Sequence, residues 1–189
     1  IRDSPSTDAD IWVLDLARGL RSRITFGGNN RTFPSWTPDG TRVTFSDGNT
    51  GQNALRVARM DASGQLELLL ERAGLQFPTT WAPDGRALAF YELHPETLRD
   101  IWIFDPQGDP ASQPFLVTPF QERAGAFSPD GNWIAYVSNQ SGRDEIYVRP
   151  YPTTGPQEYA ISLDGGREPV WSRDGRELFF RNADQMMVA

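Results

Sequence analysis

The chain has 189 residues, 38% of them hydrophobic, with a formal net charge of −7 at pH 7 and no cysteine. Its acidity argues against a nucleic-acid partner, whose phosphates require a basic surface, and the lack of cysteine excludes thiol nucleophiles, disulfides and cysteine-ligated zinc. No apolar run approaches the ~20 residues that a membrane-crossing helix needs, so no membrane insertion is expected of this chain.

In chain order, the first apolar run with strand character is Ile11 to Val13, followed by a weaker run from Ile24 to Phe26. A bulky aromatic three residues before an Asp-Gly pair comes next, in WTPDG with Trp36 and Asp39. Val43 and Phe45 follow as an alternating pair, then the runs Leu55 to Val57 and Leu68 to Leu70. The same series returns as WAPDG, Leu88 and Phe90, Ile101 to Ile103, and Leu116 to Thr118. It returns again as FSPDG, Ile134 and Tyr136, Ile146 to Val148, and Tyr159 to Ile161, and a last time as WSRDG with Leu178 and Phe180.

The turn aspartates Asp39, Asp84, Asp130 and Asp174 are 45, 46 and 44 residues apart, which makes this an internal repeat. The alternation after each turn is that of a strand with one buried face. Aspartate folds its carboxylate back on the following backbone, and glycine takes the positive φ, so each Asp-Gly pair joins two strands as a hairpin. Four short strands per period describe one propeller blade. The predicted fold class is all-β: a β-propeller of four-stranded antiparallel blades, with about four blades' worth of strands. The expected organisation is one propeller domain or propeller fragment, with partial blades at 9–26 and 167–189 and full blades at 31–70, 76–118 and 123–162. Trp36, Trp81, Phe127 and Trp171 are expected in the core between blades.

The pattern in FPSWTPDGTRVTF, in WAPDGRALAF with DIWIFD, and in FSPDGNWIAYVS with EIYVRPYP resembles the TolB-like β-propeller repeat over nearly the whole chain. Such repeats occur in TolB, in the propeller halves of prolyl-oligopeptidase-like enzymes, and in modules of bacterial receptor-like serine/threonine kinases. EIYVRPYP and WSRDGRELFFRN most resemble the last group. The resemblance implies a ring of about six blades, so the chain is expected to be part of a longer protein. Closure of a small four-bladed ring by strands from both ends is the alternative, and docking of two chains through terminal blades is a third possibility. An extracytoplasmic, periplasmic place is expected, with the cytoplasm as the alternative.

Catalytic chemistry is hard to build from these residues. No G-x-S-x-G elbow is present, and the single histidine, His94 in the YELHPETLRD loop, can serve neither a multi-histidine metal site nor a complete serine triad without partners that the sequence does not identify. No cofactor is expected. Asp47, Asn49 and Asn53 in SDGNTGQN loosely resemble a calcium loop without its terminal bidentate acid, as does the stretch from Ser138 to Glu145, and a plain polar turn is the preferred reading of both. Asp10, Asp100 and Asp144 precede third strands and are expected to cap loops.

If the family geometry holds, the aromatic-bearing strand of each blade is innermost, and the loops entering it form one face of the channel. Recognition belongs on such loops. That face would carry Asn30, Arg31, Gln76, Glu122, Arg123, Arg167 and Glu168, joined by His94 and Arg143. All 18 basic residues of the chain are arginine, as the codon usage of a GC-rich gene would give and as guanidinium recognition of carboxylate or phosphate would also favour. Two readings of the face follow. The arginines pair with carboxylates of neighbouring blades, which is preferred, or they form a polar ring for a protein, a peptide or a small anionic ligand. The function expected is a non-catalytic sensor or scaffold module; the gating propeller of a serine peptidase whose catalytic domain lies elsewhere is the alternative.

Overall fold

The computed structural model describes residues 9–27, 29–48, 53–61, 63–108, 111–152 and 155–189. The chain divides into two compact units, 1–78 and 79–189.

In the first unit, β1 (Trp12–Asp15) and β2 (Leu20–Arg23) pair as a two-stranded antiparallel sheet. The next sheet takes β3 (Thr32–Trp36), β4 (Arg42–Asp47), β5 (Ala54–Arg59) and β6 (Leu66–Glu71) in sequence order. Its core gathers Val43, Phe45 and Ala58 with Ile11 and Ile24. Ile24 is buried, but it lies just past β2, so the second strand stands a few residues before the Ile24 to Phe26 run expected for it. The Ile24 amide donates to the Ile11 carbonyl at 2.9 Å.

The second sheet series begins with β7 (Leu75–Trp81), which crosses the unit boundary, and continues with β8 (Leu88–His94), β9 (Leu98–Phe104) and β10 (Ser112–Leu116). Then come β11 (Glu122–Phe127), β12 (Trp133–Ser138), β13 (Glu145–Pro150) and β14 (Tyr159–Ala160), and finally β15 (Arg167–Trp171), β16 (Leu178–Asn182) and β17 (Gln185–Val188). Strands neighbour in sequence order within each sheet, so every described sheet is a meander. β10 ends at Leu116, where the run Leu116 to Thr118 was expected to continue; Pro119 supplies no amide for a ladder beyond it.

The repeated turns have the geometry that their residues dictate. The Asp39 carboxylate accepts from the Thr41 amide at 3.0 Å, and Asp84 and Asp130 accept from the Arg86 and Asn132 amides at the same distance. Gly40, Gly85, Gly131 and Gly175 follow at φ of 67°, 73°, 73° and 70°. The hydroxyls of Thr37, Ser128 and Ser172 also donate to Asp39, Asp130 and Asp174. The Thr37 hydroxyl bond is the chief reason that the Asp39 carboxyl is lowered to about 2.

The aromatic before each turn is not uniformly core. Phe127 is buried at 7% exposure among Ala89, Ile103 and Ile134, and its ring meets Tyr151 edge-on at 4.9 Å. Trp171 packs on the cluster of Ala135, Val148 and Leu178 and donates its indole Nε1–H to the Ala126 carbonyl at 3.0 Å. Trp81 is only half-buried. Trp36 is 48% exposed, against the core position expected for it. The sheet before β3 contributes β1 and β2 alone, and no described strand of that sheet stands to Trp36 as β8 stands to Phe127.

Candidate functional site

The entering ends of β11 and β15 carry the same backbone irregularity. Register shifts between Arg123 and Ala126 and between Arg167 and Val170, with Ala124 at φ 56° and Glu168 at φ 57°. β3 repeats it in the first unit, with Phe33 at φ 55°. A non-glycine residue in this conformation costs about 1 kcal/mol or more, and a bulge there re-aims the adjoining side chains. Arg123 and Arg167 are the residues just before two of these bulges.

Both arginines converge on one carboxylate. Asp144 accepts from Arg123 Nη2 at 2.6 Å and lies 2.8 Å from Arg167 Nε. Burial pushes the Asp144 carboxyl up, but the Arg123 hydrogen bond and the two guanidinium charges outweigh it and hold the group below the usual carboxylate range. Arg143 donates from Nε to Glu145 at 2.8 Å and from Nη1 to Asp164 at 3.0 Å. Glu145, 2% exposed, also receives the Gly165 amide at 2.9 Å and the Ser162 hydroxyl. Burial raises this carboxyl too, and the Ser162, Gly165 and Arg143 hydrogen bonds bring it down. Arg181 donates to Glu168 at 2.8 Å.

These groups enclose a cavity of about 330 Å³ lined by Arg143, Asp144, Gly165, Arg167, Arg181 and Asn182. Arg143 also lines an adjoining cavity of about 340 Å³. Arg167 uses Nε alone and Arg181 uses Nη2 alone among the described residues, so each guanidinium is anchored on one side and keeps donors on the other. The Gly166 amide donates to the Asp144 carbonyl at 2.9 Å, which closes the floor. A Cβ on Gly166 would stand 2.6 Å from both Ile146 Cγ1 and Ser162 Oγ, so only glycine fits that approach.

The other candidates are placed differently. Glu122 is fully buried at the start of β11; its Oε1 accepts from the Thr118 hydroxyl at 2.6 Å and from Ser138 at 3.4 Å. Burial chiefly raises its carboxyl above the usual range, with the charge of Asp100 adding to the rise. Asp100 lies inside β9, 3% exposed, and takes the Thr97 hydroxyl at 2.6 Å. His94 is exposed and accepts at Nδ1 from the Glu96 amide at 3.3 Å, a turn contact.

In the first unit, Arg31 is 8% exposed and bridges Asp10 at 2.8 Å and Asp47 at 2.9 Å. Asn30, at φ 50°, precedes it. Gln76 is fully buried, and the Asn53 side chain clamps its backbone through bonds of 2.6 Å and 2.8 Å. Of the residues weighed for calcium, Asp47 also meets Arg56 at 2.8 Å, and Asn49 lies outside the described residues. No group of three or more acids or histidines among the described residues is arranged to hold a metal ion.

Sequence reasoning missed Arg181, Asp164 and the glycines. Arg181 stands one residue after the aromatic of its alternating pair, where the other repeats have Ser46, Tyr91 and Val137. That departure from the repeat is the signal that could have marked it.

No family model matches the chain. A TolB homologue of Chlorobium luteolum is 23% identical over 139 residues, which are 74% of this chain and 31% of that protein's length. A TolB candidate from Agrobacterium tumefaciens superimposes with a TM-score of 0.77 at 21% identity, over 94% of this chain and 68% of that one. The fold is that of a TolB-like β-propeller. The chain thus spans less than a third of the length of that TolB homologue. The propeller is not peculiar to TolB: a prolyl endopeptidase superimposes with a TM-score of 0.66 at 14% identity, over 93% of this chain and 28% of its own.

Proposed function

We propose that this chain is a non-catalytic TolB-like propeller module that binds a protein or peptide through a carboxylate, or a small anionic ligand, at the cavity of Arg143, Arg167 and Arg181. The observation that carries the proposal is the one-sided anchoring of the Arg167 and Arg181 guanidiniums, beside an Arg143 whose three nitrogens are all held by Glu145, Asp164 and the Leu163 carbonyl. Asp144 and Glu168 fix Arg167 and Arg181 in orientation, and donors remain over a cavity of about 330 Å³. Guanidinium groups held in a fixed orientation lose little freedom when a carboxylate or phosphate docks, and they bind it by two-point contacts. The proposal includes no catalytic step and no cofactor. The module would serve as a sensor or scaffold part of a larger bacterial protein in an extracytoplasmic compartment, and EIYVRPYP and WSRDGRELFFRN favour a receptor-like kinase as that parent. Self-association through terminal sheets is a separate expectation, read directly by light scattering over a concentration series.

Calorimetric titration with a short peptide bearing a free C-terminal carboxylate, beside its C-terminally amidated twin, tests the reading. Binding of the free acid alone supports it, and cleavage of either peptide would point instead to a peptidase. Equal binding of both would remove the anion from the account.

A further inference from the structure

At the Asp-Gly-turn end of the sheets formed by β11 to β14 and β15 to β17 lies a further cavity, at the other end of the strands from the arginine site. Its volume is about 360 Å³, within the range of small-molecule pockets. Trp133, Tyr159 and Trp171 supply aromatic walls, and Val148 and Leu178 the aliphatic ones. Trp133 and Tyr159 meet edge-on, their centroids 6.0 Å apart, so the two rings form a corner rather than a closed stack. Trp171 is held in place by its indole bond to the Ala126 carbonyl.

The charges at the rim choose the ligand. Asp130 and Asp174 both line the cavity, and among its described lining residues Arg176 alone is basic. Arg176 sits 3.9 Å from the Asp174 carboxylate and is partnered by it. Asp130 makes no ion pair among the described residues; it is held by the Ser128 hydroxyl and by the Asn132 amide at 3.0 Å. Those hydrogen bonds, the Ser128 one foremost, hold the Asp130 carboxyl below its usual value. An uncompensated carboxylate over aromatic walls attracts an organic cation and does nothing for a neutral ligand of the same shape, because the face of an indole or phenol ring carries negative potential.

We propose that this cavity is a binding site for a small alkylammonium cation, seated in the Trp133–Tyr159–Trp171 corner under the Asp130 carboxylate. The cation's methyl groups bury against the rings while its charge stays near the rim, so a quaternary ammonium is the fitting member of the class. Neither the cavity nor its charges take part in the arginine site, and the two proposals stand or fall separately.

Titration of the chain with choline, followed by tryptophan fluorescence, tests the site directly, with 3,3-dimethyl-1-butanol as the uncharged isostere. Saturable quenching by choline, with the isostere weaker by roughly tenfold or more, is the expected result. Equal response to both would make the cavity a neutral apolar pocket and overturn the proposal, as would no saturable response to choline. Tyr159→Ser, which alters a ring that is 50% exposed, should weaken choline by roughly tenfold while leaving the melting temperature unchanged. Undiminished choline affinity in that variant would remove the corner as the site, and Trp133→Leu provides the second reading of the same wall.

Discussion

Phe127 and Trp36 occupy the same place in the repeat, three residues before the turn aspartate, yet the structure assigns them opposite energetic weights. Phe127 is 7% exposed and is enclosed by Ala82, Ala89, Ile103 and Ile134, with Tyr151 edge-on. Phe127→Ala removes nearly a whole buried ring and leaves a cavity that its neighbours, fixed on their own strands, close only in part, so a loss of ~3–5 kcal/mol is expected. For a chain of this size that is a fall of about 6–20 °C in melting temperature. Trp36 is 48% exposed. Only about half of its surface transfer is at stake and no closed cavity is left, so Trp36→Ala should cost ~1–2 kcal/mol, or about 2–8 °C. Thermal melts of both variants followed by circular dichroism decide the matter. A Trp36→Ala loss equal to or larger than that of Phe127→Ala would refute the argument that a preceding second strand is what buries this aromatic.

Three further outcomes are expected. Glu122 has a raised carboxyl, so between its unfolded and folded values it takes up a proton on folding, and its contribution to stability, full below the unfolded value, is lost as pH rises through the folded one. Glu122→Gln should therefore raise the melting temperature at pH 8 and leave it nearly unchanged at pH 3; a gain that is the same at both would contradict the burial argument. Asp144 is shifted the other way, so its stabilisation is fully present above the ordinary carboxylate range and is lost as pH falls through the lowered value. Asp144→Asn should accordingly destabilise the chain at pH 7 and flatten its acid denaturation profile, which a pH series of urea melts would show. Gly166→Ala drives a methyl into Ile146 and Ser162 at 2.6 Å and should cost ~1–3 kcal/mol, read as a lower urea midpoint.

The repeat made most of the fold legible. Asp-Gly turns at Asp39, Asp84, Asp130 and Asp174 and the alternating pairs after them are local chemistry, and the strands β4, β8, β12 and β16 cover Val43 and Phe45, Leu88 and Phe90, Ile134 and Tyr136, and Leu178 and Phe180. The outer strands were placed less well, because edge strands answer to weaker patterns: β2 precedes Ile24, and β14 is the two-residue Tyr159–Ala160. Trp36 shows why a repeat misleads about burial. Its own residues fit the pattern, but its exposure depends on the strands of the sheet before it.

The candidate site was half legible. Arg123 and Arg167 were marked by a shared register; of the expected pairings with carboxylates of neighbouring blades, Arg167 with Asp144 is one, whereas Arg123 meets Asp144 within its own sheet. Gln76 and Glu122 stand one position earlier in the strand register than Arg123 and Arg167, so on the alternating strand they turn inward and are fully buried. The bulges that follow Arg123 and Arg167 carry positive φ at Ala124 and Glu168, residue types that give no local signal for it.

The most direct test of the proposed function is calorimetric titration of the Arg167→Gln/Arg181→Gln variant with the same free-carboxylate peptide that binds the unmodified chain. Both side chains are half-exposed or more, so the fold should survive with a melting temperature close to that of the parent. The account predicts that binding is lost while the melt is retained. A variant that melts as before and still binds the peptide with undiminished affinity would contradict it.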